Sequence, residues 1–244
     1  NHFDEIGPLT IAIALGVIAA GCYVWVSLKP RAPLDEYVVL LGASIISADI
    51  AFIETQWHVL GDEWQWHFLL LAVMHAAAAY WFDSRAVLSL SIASLAAWFG
   101  IERRNYFSDE AEMALRAFGC AAAVAVWRAA NHHKRFDAVL EQFAVNFAFW
   151  GAIIFTANRD SRYLGFILAL LIGVIVLRIG FRQRRELFVM YSFVYTIIAI
   201  DIVIVSAIGE PVLSAMYLLA STVVAIVFMF VIHGRFQKQQ LAGA

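Results

Sequence analysis

The sequence predicts an all-α protein, a polytopic transmembrane helical bundle of about nine helices, from two observations. Of the 244 residues, 63% are hydrophobic and 15% are charged, whereas a soluble domain is about 45 to 50% apolar and about 25% charged. The apolar residues also form blocks of about 16 to 23, the length that crosses about 30 Å of hydrocarbon as a helix. We therefore expect lipid to surround most of the chain.

Charged and polar connections separate the apolar blocks. The candidate spans cover residues 8–27, 37–55, 67–82, 86–101, 114–130, 138–157, 163–180, 187–207 and 211–233. The third and fourth are short, and only Asp83, Ser84 and Arg85 separate them, which predicts a tight helical hairpin. Strands are disfavoured because segments such as 197–205 are almost continuously apolar and lack the alternation of a lipid-facing strand.

The basic residues predict an orientation, since Lys and Arg favour the cytoplasmic connections of a membrane protein. With the N-terminus outside, twelve of the 17 basic residues fall on the inside and five on the outside. We therefore expect the N-terminus outside and the C-terminus in the cytoplasm, provided that both short spans cross. Residues 1–244 are expected to form one transmembrane domain, and the start at Asn1 without a methionine is compatible with the membrane part of a longer protein.

Charge and cysteine usage narrow the choice of partners. The net charge is only −2 and no dense basic run occurs, so no nucleic-acid partner is expected. Cys22 and Cys120 lie in apolar blocks and are expected to be unpaired. No cofactor is expected, because phosphate-cradling and nucleophile-elbow motifs are missing from the sequence. The expected partners are the lipid bilayer and either other proteins or a second copy of the chain.

One stretch carries a family resemblance through its motifs. These are Gln56, Gly61 with Asp62, the run Ser84 to Leu90, and Ala97 to Gly100. The stretch resembles a family of predicted prokaryotic inner-membrane proteins, catalogued as a domain of unknown function, over residues 42–102. His58 stands one position away from its place in the family pattern. The resemblance implies a multi-pass protein of the bacterial inner (cytoplasmic) membrane, and it implies no chemistry because the family has no established activity.

Two carboxylates are predicted to lie deep in the membrane, where an ionisable group costs about 2.5 to 3.5 kcal/mol or more. Asp201 is in the middle of span eight, and Asp49 is in the second half of span two. Three alternatives remain for both residues. They have a proton- or ion-linked role, they pair with an arginine such as Arg116, Arg128 or Arg178, or the span boundaries are misplaced.

Three further polar residues are candidates for binding or ion coupling. Glu54 lies in the second half of span two, while Glu141 and Asn146 lie near one face of span six. For Glu54 and Glu141 the alternative is simple proximity to the membrane surface.

The connection 56–66 is unusually rich in aromatic and acidic side chains. Its candidate residues are Trp57, His58, Asp62, Glu63 and Trp64. An aromatic box with carboxylates binds cations or sugars, which is one hypothesis for this turn. The alternatives are an interfacial belt that anchors two helices and a helix cap formed by the acidic pair.

His58, His67 and His75 are weak candidates for metal ligands. Zinc or iron requires three or four converging donors. His67 and His75 are eight residues apart, about 12 Å along a helix, which is too far to chelate one ion without a third element. We therefore expect no metal site. The close histidine pair of a zinc-type intramembrane lipid hydrolase is also missing.

These observations leave three functional hypotheses. The leading one is a small-solute or ion transporter with Asp49 and Asp201 as buried titrating carboxylates. The alternative is a non-catalytic membrane module for envelope assembly or sensing through partner proteins. An intramembrane lipid hydrolase is the third, so an enzyme is the least favoured class.

Overall fold

The fold was established with a computed structural model that describes residues 7–28, 34–63, 65–100 and 110–242. These residues form nine α-helices with no strand among them, which confirms the predicted all-α class. The helices are α1 (Pro8–Ser27), α2 (Asp35–Trp57), α3 (Trp66–Phe82), α4 (Arg85–Gly100), α5 (Glu110–Ala130), α6 (Asp137–Ala157), α7 (Arg162–Arg182), α8 (Glu186–Ile208) and α9 (Pro211–Ala242).

The observed helix bounds follow the predicted spans closely, with one clear difference at the C-terminus. Helix α9 continues to Ala242, beyond the predicted span end at residue 233. The residues that follow include Arg, Gln and Lys, which are polar but form helices well. Polarity therefore ends the apolar span without ending the helix.

Seven of the described helices are long and apolar enough to cross a membrane, which makes the chain a multi-pass membrane protein. The other two are α3, with 17 residues, and α4, with 16. Such helices are about 24 to 26 Å long, somewhat less than the hydrocarbon thickness of about 30 Å. A full crossing by α3 and α4, and the orientation that depends on it, stay predictions.

The chain divides into two compact units. Unit 1 comprises residues 1–104 and 127–140, and unit 2 comprises residues 105–126 and 141–244. Helices α1 to α4 belong to unit 1 and helices α7 to α9 to unit 2, while α5 and α6 are each divided between them. The predicted single transmembrane domain stays a prediction.

In unit 1, small residues let two helix pairs pack closely. A Cβ atom added at Gly42 of α2 would lie 3.0 Å from the Cys22 Cβ atom of α1. Between α3 and α4, Ser91 donates a hydrogen bond of 2.6 Å to the carbonyl oxygen of Ala72. The connection between these two helices is tight, as predicted, because Asp83 adopts a left-handed conformation with φ 53°. Lipid provides no hydrophobic driving force for helix association, so close packing of the backbones stabilises these helix pairs instead.

In unit 2, glycines bring α7 against its neighbours. A Cβ atom added at Gly165 would lie 2.2 Å from the backbone nitrogen of Thr156, and one at Gly173 would lie 2.6 Å from Thr196 Oγ1. Ser192 of α8 donates a hydrogen bond of 2.7 Å to the carbonyl oxygen of Gly173. These contacts hold α7 close to α6 at Gly165 and close to α8 at Gly173, where a larger side chain would not fit.

Candidate functional site

Asp49 lies deep in α2 and has no basic partner among the residues that the structure describes. It is eight residues before Trp57, the last residue of the helix, which is about 12 Å from that end. Its Oδ1 atom is buried without a hydrogen-bond partner in the part of the chain that the structure describes. Its Oδ2 atom faces α1, where a Cβ atom added at Gly16 would lie 3.7 Å away. The carboxylate therefore packs over a glycine that leaves room for it.

Asp201 lies at a comparable place in α8 but is well satisfied by hydrogen bonds. It is seven residues before Ile208, where the helix ends. Tyr217 of α9 donates a hydrogen bond of 2.8 Å to Oδ1. Ser221, one turn further along α9, lies 2.8 Å from Oδ1 and 3.0 Å from Oδ2. Asp201 therefore joins α8 to α9 through hydroxyl groups.

The arginine pairing considered for Asp201 is not seen. Within the described part of unit 2, no arginine forms an ion pair with this carboxylate, and Arg116 pairs with Glu112 instead. The two hydroxyl donors were not predicted, because Tyr217 and Ser221 lie on a different helix and their register against Asp201 is not visible in the sequence.

Five carboxylates closer to the helix ends have basic partners. Asp49 and Asp201 differ from these five groups in having no basic partner among the described residues, although an unpaired charge costs more at depth than near the interface. The pairs are Glu54–His67, Asp83–Arg135, Glu112–Arg116, Glu141–Arg185 and Glu186–His233.

Glu54 organises the turn that follows α2. Its two carboxylate oxygens accept hydrogen bonds of 3.1 Å from the backbone N–H groups of Leu60 and Gly61. Its Oε2 atom also lies 3.3 Å from His67 Nε2 at the start of α3. Glu54 therefore holds the ends of two consecutive helices together, and its geometry favours a structural role over ion coupling.

The aromatic and acidic residues of this turn are only partly assembled. Trp57 is 45% exposed and packs edge-on against Phe52, with ring centroids 6.4 Å apart. His58 is exposed in a left-handed conformation with φ 48°, and Glu63 is exposed at the end of a short 3-10 turn. Trp64 and the side chain of Asp62 lie outside the described residues. The geometry therefore supports the anchoring alternative for Trp57, and the box hypothesis stays a prediction.

The three candidate histidines have separate surroundings. His67 is beside Glu54, whereas His75 Nε2 lies 3.2 Å from both Ser47 Oγ and the carbonyl oxygen of Ala43. In residues 7–28, 34–63, 65–100 and 110–242, no three His, Cys, Asp or Glu side chains come together as a metal site. A zinc-type hydrolase receives no support from these positions.

His75 also lines a cavity in unit 1. The cavity has a volume of about 450 Å³, and its other walls include Tyr23, Ile46, Met74 and Trp81. His75 is 1% exposed, and its Nδ1 atom is buried without a hydrogen-bond partner among the described residues. The cavity therefore has mainly aromatic and aliphatic walls, and the one ring nitrogen beside it without a hydrogen-bond partner among the described residues is itself buried.

Glu141 and Asn146 join α6 to the α8 region of unit 2. Glu141 pairs with Arg185, the residue just before α8. Asn146 accepts a hydrogen bond of 2.7 Å from the Tyr195 hydroxyl and donates one of 2.7 Å to the carbonyl oxygen of Gln142. Both residues have satisfied polar groups, so the geometry assigns them to helix packing.

The sequence indicated His75 only as a weak metal ligand and did not indicate its contact with Ser47. The available signal was the alanine-rich context of Ala72 and Ala76 to Ala79, which is typical of a closely packed helix face. No known protein family, no curated protein and no solved structure matches this chain. The resemblance over residues 42–102 therefore stays a prediction.

Proposed function

We propose that this protein is a proton-coupled transporter of a small solute, with Asp49 as the proton-carrying carboxylate. The observation that carries the proposal is the buried Oδ1 atom of Asp49, which has neither a cation nor a hydrogen-bond donor among the described residues. A charged carboxylate at this depth is costly when it is unpaired. Such a group binds a proton more readily than a carboxylate held by an arginine, whose positive charge favours the ionised form.

The surroundings of Asp49 support proton exchange. Gly16 of α1 has no side chain to place against the Oδ2 atom, from which an added Cβ atom would be 3.7 Å away, so the carboxylate is not tightly packed on this side. Acidic residues in the spans of pumps and transporters commonly form proton relays. The same position would be a poor choice for a purely structural contact, because an alanine or a leucine would pack there without the cost of a buried charge.

The cavity beside His75 supports the presence of a solute site in the same unit. Its volume of about 450 Å³ falls in the range of about 300 to 1,000 Å³ that is typical of small-molecule sites. The walls are mainly apolar, and a rotation of His75 that exposed its buried, unpartnered Nδ1 atom would provide one polar contact. We therefore propose a solute with an apolar body and one hydrogen-bonding group.

The test is a proton-flux measurement on the purified protein in liposomes that contain a pH-sensitive dye. Amino acids, sugars, organic acids and aromatic amines are added outside in separate experiments. At least one class is expected to change the internal pH with the wild type, and Asp49→Asn is expected to reduce that rate by about tenfold or more, because an amide does not carry the proton.

Glu112→Gln is the matched control. It also removes one carboxylate, but from an exposed pair with Arg116, and it should keep the wild-type rate. Absence of solute-driven proton flux in the wild type, or a wild-type rate in Asp49→Asn, would contradict the transporter proposal.

The second candidate is a membrane module that acts through partner proteins or a second copy of the chain. It is supported by α9, in which only 6% of the most apolar 18-residue window is buried inside the protein. Exposed side chains on this helix include Leu219, Val223 and Phe230. Disulfide formation between Val223→Cys subunits in native membranes, with Leu213→Cys and Phe230→Cys compared, would test whether a second copy covers this face.

We also propose that the protein works in the inner membrane of a bacterium. This proposal is supported by the motif resemblance over residues 42–102 and by the bias of basic residues toward one set of connections. Fractionation of the native organism, with cysteine labelling of the turn 56–66 from outside, would test both the location and the orientation.

A further inference from the structure

Unit 2 contains a second cavity, a cleft bounded by α7, α8 and α9. Its volume is about 430 Å³, and it extends along α7 from Leu170 to Phe181. The eleven steps from Leu170 to Phe181 correspond to about 16 Å along the helix, which is close to the depth of one leaflet of a hydrocarbon core about 30 Å thick. The cleft therefore has the length of a lipid acyl chain inserted from one membrane surface.

The walls of the cleft suit a hydrocarbon chain. The floor is Gly173, where α7 and α8 approach closely. Phe193 and Phe228 stack with ring centroids 3.9 Å apart, and Phe181 and Phe236 stack with centroids 6.3 Å apart. These aromatic pairs join α8 to α9 and α7 to α9, so apolar rings form part of the cleft walls.

One end of the cleft carries a cation. Arg235 is the one charged side chain among the described residues that line it. No carboxylate in the described part of unit 2 pairs with Arg235, and the carboxylate of α8 at this end, Glu186, pairs with His233. The cleft therefore has a guanidinium group that is available for an anion.

The position of Arg235 along α9 matches the headgroup level of a bilayer. Arg235 is 24 residues after Pro211, where the helix begins, or about 36 Å along the axis. This distance exceeds the hydrocarbon thickness of about 30 Å by a few ångströms. An arginine at this level meets phosphate groups, and basic pockets between transmembrane helices are known binding sites for anionic headgroups.

We propose that this cleft binds an anionic phospholipid, with one acyl chain between α7, α8 and α9 and the headgroup phosphate against Arg235. A neutral molecule would leave the guanidinium without an acceptor, and a small soluble anion would leave the apolar walls unfilled. Arginine binds phosphate through two parallel hydrogen bonds. The bound lipid would join the three helices of unit 2 and stabilise the contact of α9 with α8.

The experiment is native mass spectrometry of the purified protein with phosphatidylglycerol and phosphatidylcholine of identical acyl chains. The wild type is expected to bind phosphatidylglycerol about tenfold more tightly than phosphatidylcholine, as one charge-assisted contact provides. Arg235→Gln is expected to reduce the affinity for phosphatidylglycerol to that for phosphatidylcholine. Arg178→Gln is the control, because Arg178 is an exposed arginine of α7 that does not line the cleft.

A second variant tests the acyl-chain part of the site. Val231 lines the cleft and is 48% exposed, so Val231→Trp fills the space without disturbing a buried core. It is expected to reduce the affinity for both lipids about tenfold. Soluble glycerol phosphate is expected to bind neither the wild type nor the variants measurably. Equal affinity of the wild type for the two lipids, unchanged phosphatidylglycerol affinity in Arg235→Gln, or tight binding of glycerol phosphate alone would overturn the proposal.

Discussion

Asp49 in unit 1 and Asp201 in unit 2 occupy similar places in helices of equal length. Both α2 and α8 have 23 residues, and the two aspartates lie eight and seven residues before the last residue of their helices. Asp201 accepts hydrogen bonds from Tyr217 and Ser221, whereas Asp49 Oδ1 has no donor among the described residues. The same residue type at a similar position in its helix is therefore satisfied in one unit and unsatisfied in the other.

We infer from this difference that Asp201 has a structural role and that Asp49 has a functional one. A carboxylate that accepts several hydrogen bonds contributes to helix association, as interhelical hydrogen bonds do in membrane proteins. A buried carboxylate without a partner lowers stability, and such groups persist where function needs them. Asp49 is accordingly the group that we expect to affect activity, and Asp201 the group that we expect to affect packing.

The largest expected effect is on stability when each charge is removed. Asp49→Asn should raise the free energy of unfolding by about 2 kcal/mol, because the cost of a buried unpaired charge disappears. Asp201→Asn should change it by less than about 1 kcal/mol, because relief of the charge offsets weaker hydrogen bonds from α9. Unfolding by denaturing detergent, followed by circular dichroism, measures both. Equal changes in the two variants would remove the distinction between the aspartates.

Asp49 and Asp201 each lie on a helix that packs against a glycine of the preceding helix. Replacing that glycine with alanine tests how closely the two helices of each pair pack. Gly173→Ala should destabilise the protein by about 2 kcal/mol through overpacking, because its Cβ atom would lie 2.6 Å from Thr196 Oγ1. Gly16→Ala should be tolerated within about 0.5 kcal/mol, since its Cβ atom would lie 3.7 Å from Asp49 Oδ2. Thermal unfolding in detergent measures the difference, and a larger loss in Gly16→Ala would contradict the open surroundings of Asp49.

A double-mutant cycle measures the contact of Asp201 with Tyr217. In the wild type, Tyr217→Phe should lower the free energy of unfolding by about 1 kcal/mol. This value is within the range of about 0.6 to 1.7 kcal/mol found for interhelical hydrogen bonds in membranes. In an Asp201→Leu background the same substitution should cost nothing, because the acceptor is gone. Additive losses across the cycle would mean that the hydrogen bond contributes no stability.

The smallest expected effect concerns a contact that both units share. Ser91 and Ser192 each donate to a carbonyl oxygen 19 residues earlier, at 2.6 Å and 2.7 Å. Each Ser→Ala substitution should lower the free energy of unfolding by about 0.6 kcal/mol, and the loss should be equal in the two units. A loss in one variant alone would show that the units differ in helix packing as well as at their aspartates.

Much of the helical architecture could be predicted from the sequence. The apolar blocks gave the position of every described helix, and the Asp83 to Arg85 break gave the tight connection between α3 and α4. These predictions succeeded because blocks of apolar residues bounded by charges dominate the free energy of insertion into lipid. The C-terminal end of α9 was missed, since hydropathy reports the end of the apolar span and helix propensity continues past it.

The candidate residues were predictable only as individual positions. Glu54 and Glu141 were both candidates for ion coupling, and both have basic partners in the structure, His67 and Arg185. Those partners lie 13 and 44 residues away in the chain, on elements whose register depends on packing. The pairing of a polar group is therefore not encoded in its local sequence.

By itself the sequence determined that this is a multi-pass helical membrane protein with two deep aspartates, because hydrophobicity and charge act locally along each helix. Only the tertiary structure decided which aspartate is satisfied, where His75 lies against Ser47, and that Arg235 stands at the end of an apolar cleft. The physical reason is that hydrogen bonds and close contacts require particular atoms within about 3 Å, and helix rotation and register decide which atoms meet.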